Sequence, residues 1–211
     1  MPEGRVIVGF SNPYVAKYNN AGGNVTYTEG RRLARGVSVS LSVETADGND
    51  FYADDVVAES ENGQFAGGQV KLTVDGLHDE ADRFISGLPE PVPMEYGEDK
   101  SVNIQKYTVG AQPPDVGIGF IIQYRSGGVT TFVPMILTKG KFQTHGTEAT
   151  RREGTVSWQT QELTADLSRD DTPDQAWKWV AEAQTSGEAA DAILQGLLGV
   201  GVNAGGDDAE V

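Results

Sequence analysis

The chain has 211 residues, 27 of them glycine, no cysteine and a formal net charge of −15. This length fits one domain with a sizeable core, with or without an appendage, and the glycine content favours tight turns between short strands. The absence of cysteine excludes disulfides, thiolate metal sites and cysteine nucleophiles. The acidic balance argues against tight binding to phosphate backbones, which requires clusters of Lys and Arg.

The sequence predicts neither a secretory signal nor a membrane-spanning segment. The first residues, MPEGRVIVGF, lack the apolar run of a secretory signal. No stretch approaches the roughly 18 consecutive apolar residues of a membrane span. We therefore expect no signal peptide and no transmembrane segment.

Residues 33–44 show the clearest alternation in the chain, because every second side chain is apolar and serines lie between them. A period of two predicts a strand with one buried face. The apolar positions are Val37, Val39, Leu41 and Val43, and the opposite face carries Ser38, Ser40 and Ser42.

The next segment, residues 45–61, contains acids but no Lys or Arg, and short apolar pairs interrupt the charge. We interpret it as a long hairpin or loop with an apolar strip, and not as a disordered tract. Its marker residues are Asp47, Asp50, Phe51, Tyr52, Asp54, Asp55, Glu59 and Glu61.

A strand is predicted over residues 65–75, followed by a short amphipathic helix that Asp75 caps and Gly87 and Pro89 end. Residues 89–99 are expected to form a proline-rich acidic loop.

The middle of the chain predicts a strand over residues 102–109 and a hairpin of 116–125 with 129–139 around Ser126-Gly127-Gly128. The apolar runs of this hairpin predict strands that are buried, in part, on both faces. Pro134 is expected at an edge or a bulge. A last strand is predicted within residues 150–165, which include Trp158.

The C-terminal part is predicted to be helical. Thr172 to Gln175 has the form of a capping box, and a helix is expected through Trp177, Trp179 and Val180. A second apolar stripe predicts a helix that ends at Gly199. Residues 202–211 are expected to be frayed. The sequence thus predicts a β domain over residues 1–170 and a helical segment with an acidic tail over 171–211.

Signals of catalysis are weak. His78 and His145 lie in different segments without neighbouring metal ligands, and adjacent acids such as Asp54-Asp55 point to opposite faces of a strand. The Asp-Gly-Asn-Asp run at 47–50 lacks the spacing of a calcium loop and is interpreted as a turn. Gly117 and Gly119 are ascribed to bulging or close packing. The prediction is a non-enzymatic assembly or binding module without a cofactor.

Four segments carry a resemblance to a known family: VGFSNPYVAKYN (8–19), FYADD (51–55), PPDVGIGF (113–120) and LTKGKF (137–142). In this order and spacing they resemble the major tail proteins, or tail tube proteins, of long non-contractile-tailed phages of Gram-positive bacteria. The resemblance extends over about residues 8–167 and leaves the C-terminal helical runs unplaced.

The resemblance implies a tail-tube β-sandwich or barrel with one short flanking helix, to which this chain adds a C-terminal helical appendage. Six subunits would close a ring whose inner strands line a lumen, and rings would stack through a long hairpin loop and terminal arms. The implied partners are other copies of the chain, a tape measure protein and a tail terminator. Double-stranded DNA would pass through the lumen without tight binding, and an acidic wall repels it. The implied locations are the virion tail and, during assembly, the host cytoplasm.

Three regions of the chain are candidates for these roles. The acidic hairpin at about residues 44–62 is the candidate inter-ring loop, with Phe51 and Tyr52 as anchors. Ser38, Ser40 and Ser42 are candidates for the lumen face. The candidate N-terminal arm contains Phe10, Pro13, Tyr14 and Tyr18.

Other functions stay open from the sequence. The serine face also fits an ordinary exposed sheet, and the acidic hairpin also fits a loop anchored to its own domain. A carbohydrate- or surface-binding β-sandwich is an alternative in which tryptophans form a sugar platform, although Trp177 and Trp179 would then diverge on a helix. A secretion-system tube of the same architecture and an acidic hydrolase are the remaining alternatives.

Overall fold

The structure is a computed structural model that describes residues 4–46, 49–53, 56–61, 63–98, 100–146 and 160–201, with 49–61 described by their backbone alone. Within these residues the chain forms twelve strands and two helices. Strands far outnumber helices among the described residues, which confirms the predicted mainly β class. No described helix combines the length and the hydropathy that a membrane crossing requires.

The elements follow one another in chain order. The strands are β1 (Val6–Ala21), β2 (Asn24–Arg32), β3 (Gly36–Thr45), β4 (Asn49–Ala53), β5 (Val56–Glu61), β6 (Phe65–Val74), β7 (Val92–Gly97), β8 (Lys100–Ile104), β9 (Asp115–Ser126), β10 (Val129–Phe142), β11 (Gln161–Ser168) and β12 (Lys178–Val180). The helices are α1 (Asp79–Ile85) and α2 (Gly187–Leu197).

One antiparallel sheet dominates the fold, in the order β2-β1-β9-β10-β11-β6-β3, with β12 beside β10. The sheet curls, so that β3 returns towards β1. The Phe10 ring of β1 lies against Gly36 of β3, where a Cβ atom would overlap it. Beside this contact Leu33 N donates to Pro13 O at 2.9 Å. The curled sheet therefore encloses a core between its two halves.

The strand β9 is buried on both faces, as its continuous apolar run predicts. Ile118 and Phe120 enter the core inside the curled sheet, while Ile121 enters a second core on the outer face. Gly117 and Gly119 bring this outer face close to its cover. A Cβ atom at Gly119 would lie 2.6 Å from Leu198 Cδ1. Close packing thus explains the two glycines, as expected.

The second core is covered by the C-terminal part of the chain. Leu194 and Leu198 of the α2 region are fully buried against Tyr14 and Ile136 of the sheet. The N-cap Ser186 accepts a hydrogen bond from Ala189 N, which starts α2. The predicted second C-terminal helix is confirmed. It packs against the main sheet through this second core, and the predicted boundary near residue 170 stays a prediction.

The helix predicted through Trp177 and Trp179 is wrong, because a turn and a strand occupy this segment. The buried carboxylate of Asp170 accepts hydrogen bonds from Thr172 N at 3.1 Å and from the Thr172 hydroxyl at 2.5 Å. Such side-chain bonds offer the backbone an alternative to a helix. The capping-box pattern was therefore a turn signal in this context.

The strand β12 fills an edge that β11 leaves open. β11 pairs with β10 only over residues 139–142, so β12 pairs with residues 135–137 instead. Pro134 adjoins this point, and its carbonyl accepts from Ala181 N at 3.0 Å. Pro134 therefore lies in an inner strand, beside the end of a short neighbour, and not at the sheet edge.

Two further boundaries differ from the prediction. The helix α1 begins at Asp79, because the carboxylate of Asp75 binds Arg35 N at 3.0 Å and Arg35 Nε at 2.6 Å and does not cap a helix. The expected loop at residues 89–99 contains β7, and β8 ends at Ile104, before the predicted limit of 109. The predicted strand at 65–75 and the hairpin of β9 and β10 are confirmed.

Candidate assembly surface

The last strand of the sheet, β3, has one unpaired edge along its length in the described part of the chain. Val39 and Leu41 pack against the inner core, as the alternation predicts. Val37 and Val43 remain 54 % and 44 % exposed. Sequence alternation predicted burial of all four. Val37 lies at an irregularity in the β3–β6 register between Gly36 and Ser38, and Val43 pairs with Gly68, which has no side chain to cover it. An open edge with exposed valines is a surface for strand pairing.

The outer face of β3 and its neighbours is polar. Ser38, Ser40 and Ser42 are exposed, as predicted. Cross-strand rows continue this polarity over β6 and β11. The rows are Ser38, Thr73 and Glu162; Ser40, Lys71 and Thr164; and Ser42, Gln69 and Asp166.

Hydrogen bonds and one ion pair link these rows. Ser38 Oγ donates to Thr73 Oγ1 at 2.9 Å, and Gln69 Nε2 donates to Asp166 Oδ1 at 2.8 Å. Lys71 Nζ lies 3.7 Å from Glu162 Oε1. The single cation of the rows is thus close to an acid, and small hydroxyls and carboxylates dominate the face.

The acidic segment forms a hairpin that prolongs the β3–β6 ladder. Thr45 pairs with Phe65, Ala46 N donates to Gln64 O at 2.8 Å, and β4 then pairs with β5. This hairpin contains the backbone of Asp50, Phe51, Tyr52, Glu59 and Glu61. Asp47, Asp54 and Asp55 lie outside the described residues. The inter-ring role of the hairpin stays a prediction.

The predicted N-terminal arm is instead a strand of the sheet. Phe10, Pro13, Tyr14 and Tyr18 all belong to β1. β1 pairs with β9 along most of its length and with β2 from Tyr14 onward. Pro13 and Tyr14 are buried, and the Phe10 ring meets Phe120 edge-on at 5.7 Å. Burial of these apolar groups favours the sheet over a projecting arm, which corrects the expectation.

Tyr18 ties β1 to the turn before β12. Its O–H donates to Asp171 Oδ2 at 2.8 Å, and its oxygen accepts from Asp171 N at 2.9 Å. Lys139 Nζ also binds Asp171 Oδ2 at 2.8 Å. Burial chiefly raises the pKa of Tyr18 to about 12. The hydrogen bond from Lys139 lowers the pKa of Asp171.

The raised pKa of Tyr18 predicts a loss of stability in alkaline solution. The folded state holds the phenolic proton more tightly than the unfolded chain, whose tyrosines titrate near pH 10. The contribution is complete below pH 10 and disappears as the pH rises to about 12. We expect the free energy of unfolding to fall less steeply over this range in Tyr18→Phe. Urea unfolding between pH 9 and 12 measures both slopes, and equal slopes would contradict the assignment.

The β7–β8 hairpin is a surface feature that the sequence interpretation missed. Val92, Met94 and Tyr96 are spaced by two on β7, and Val92 and Met94 pair with Ile104 and Val102 of β8. The four paired side chains share one apolar face and all of them except Ile104 are exposed, as is Tyr96, which lies at the register irregularity between Glu95 and Gly97. The alternation was present in the sequence, but Pro93 and the adjacent acids made the segment resemble a loop. We call this the apolar face of the β7–β8 hairpin.

The two histidines have different surroundings in the described part of the chain. His78 is exposed, whereas His145 Nε2 lies 3.0 Å from Asp82 Oδ1 beside α1. No group of three metal-binding side chains occurs among the residues that the structure describes. Trp177 stacks on Phe65 at 4.6 Å, and Trp179 meets Tyr27 edge-on at 5.6 Å. These two tryptophans therefore pack against their own chain, while Trp158 lies outside the described residues.

No protein-family model matches the chain, and no curated protein matches it.

Proposed function

We propose that this chain is a structural subunit of a phage tail tube, which self-assembles into stacked rings. The observation that carries the proposal is the unpaired edge of β3, together with its exposed Val37 and Val43. A neighbouring copy that pairs with this edge satisfies its backbone groups and covers the two valines. Repetition around a closed ring removes the edge from every subunit.

The polar face of β3, β6 and β11 supports a lumen-facing position. When β3 pairs with a neighbour, this face becomes part of a continuous wall. Its exposed Ser38, Ser40 and Ser42 offer small hydroxyl groups, and its carboxylates repel DNA phosphates. Such a wall lets a duplex pass without tight binding. The α2 helix covers the opposite side of the domain and would lie on the outer wall.

The β4–β5 hairpin is the proposed element of stacking between rings. A two-stranded hairpin alone is marginally stable in water. As far as its residues are described, this hairpin forms no ladder with the main sheet beyond the β3–β6 extension. Contact with the next ring supplies the missing cover. A tape measure protein and a tail terminator are the other proposed partners, and sixfold symmetry comes from the family resemblance alone.

A carbohydrate-binding role is less well supported. A sugar platform needs exposed aromatic faces, whereas Trp177 and Trp179 contact Phe65 and Tyr27 of the same chain. A tube of a secretion system would use the same surfaces, and the genes beside this one would separate the two systems.

Assembly of the purified chain tests the proposal. We expect sedimentation velocity to show species that grow with protein concentration, and negative-stain microscopy to show rings or tubes of constant diameter. Both follow because each copy offers an unpaired edge to the next. A monodisperse monomer at every concentration, in high and low salt, would contradict the proposal.

A further inference from the structure

The apolar face of the β7–β8 hairpin lacks a cover in the described chain. Its strands pair only with each other. Every described residue of β7 is exposed, including Val92, Met94 and Tyr96. An amphipathic two-stranded ribbon gains its stability by burying its apolar face against another surface. The shape and the alternation thus indicate a docking element that no described residue of this chain covers.

A matching surface lies on the first half of β1. β2 pairs with β1 only from Tyr14 onward, so residues 6–11 have β9 on one side and, among the described residues, no paired strand on the other. Val6, Ile7 and Val8 are 64 %, 63 % and 51 % exposed. Three consecutive exposed apolar residues beside an unpaired strand edge form a surface that favours association with another chain.

Charge distinguishes this surface from the rest of an acidic protein. Arg5 adjoins Val6 in the chain, and Arg125 is the residue that pairs with Val6 across the sheet. Both arginines are exposed, and neither forms an ion pair with another described residue. The described residues of the hairpin carry Glu95, Glu98 and Lys100, so acids outnumber cations there. The two surfaces therefore complement each other in both hydropathy and charge.

The β7–β8 hairpin and the first half of β1 belong to different parts of the fold. The segment that contains β7–β8 follows α1, and it is held there by Tyr107 O–H, which donates to Asp82 Oδ2 at 2.9 Å, and by Gln105 Nε2, which donates to Pro89 O at 2.9 Å. β1 begins in the main sheet opposite Arg125. A contact between different patches of identical chains is heterologous and repeats from copy to copy.

We propose that the apolar face of the β7–β8 hairpin binds a second copy of this chain at residues 6–8 of its β1 strand. The inference rests on the proposed self-assembly and adds a contact that the β3 edge and the β4–β5 hairpin do not provide. Val92 and Met94 would cover the apolar strand, while Glu98 in the hairpin turn would approach Arg5 and Arg125.

Disulfide trapping tests the contact, because the chain has no cysteine of its own. The double variant Met94→Cys/Ile7→Cys is oxidised under assembly conditions and analysed on a non-reducing gel. We expect a ladder of dimers, trimers and larger species that reduction removes. Each single variant is expected to give dimers at most. The matched control is Met94→Cys/Val180→Cys, because Val180 is also an exposed valine, on β12.

The outcomes separate this inference from the proposed function. Assembly without the ladder, or a ladder equal to that of the control, would overturn the hairpin contact and leave the tube proposal standing. A monomer that neither assembles nor cross-links would overturn both. Circular dichroism of each variant confirms that the exposed substitutions leave the fold intact.

Discussion

Replacement of Val37 and Val43 by lysine is expected to abolish assembly while the subunit stays folded. Both valines are exposed in the isolated chain, so their replacement changes the stability of the monomer by about 0.5 kcal/mol or less. At an occupied edge, however, each ammonium group would be buried without a partner. The cost is on the order of several kcal/mol, and each 1.4 kcal/mol is roughly a tenfold change in an equilibrium constant. We therefore expect the concentration required for assembly to rise by about 100-fold or more.

The matched control for the edge variant is Val180→Lys. Val180 is 53 % exposed, which is close to the 54 % of Val37, but it lies on β12, away from the β3 edge. Sedimentation velocity and negative-stain microscopy compare the two variants with the natural chain. Normal tubes from the Val37→Lys/Val43→Lys variant would show that the β3 edge is not the contact between subunits.

Truncation of Leu194 to alanine should produce the largest loss of stability among these substitutions. The side chain of Leu194 on α2 is fully buried against the sheet, in the cluster that includes Tyr14 and Ile136. A buried Leu→Ala change costs about 2–5 kcal/mol, because it loses apolar burial and leaves a cavity. If the C-terminal segment were a separate appendage, the same change would leave the main domain unaffected.

Leu197 provides the control on the same helix, because its side chain is 47 % exposed. Leu197→Ala is expected to cost well under half as much, since alanine is at least as favourable in a helix and little burial is lost. Urea unfolding followed by tryptophan fluorescence and by circular dichroism measures both variants. Equal costs for the two substitutions, or unfolding of α2 in a separate transition, would contradict the single core.

Local patterns predicted the elements whose partners are near in the sequence. The hairpin of β9 and β10 was predicted because Ser126-Gly127-Gly128 separates two long apolar runs, and the structure confirms the turn. The alternation in β3 predicted the exposure of Ser38, Ser40 and Ser42 correctly. In each case the side chains of one strand and its turn contain the necessary information.

The errors occurred where a distant partner decided the local structure. The segment around Trp177 and Trp179 has a helical start signal, yet the free edge of β10 and the buried Asp170 carboxylate make it a turn and a strand. The supposed arm at Phe10 to Tyr18 is a strand because β9 and β2 pair with it. The strands β9 and β10 are far from these segments in the sequence, so no local pattern predicts the pairing.

The sequence by itself determined a cysteine-free, acidic, mainly β chain with an apolar hairpin at its centre and a polar face on β3. These properties depend on composition and on a period of two, which a single strand carries. Only the tertiary structure decided that α2 packs in a core with the sheet, that Val37 and Val43 remain exposed, and that β7 and β8 form an amphipathic ribbon. Each of these depends on which strands become neighbours, and hydrogen-bond pairing between distant segments is not encoded in any one of them.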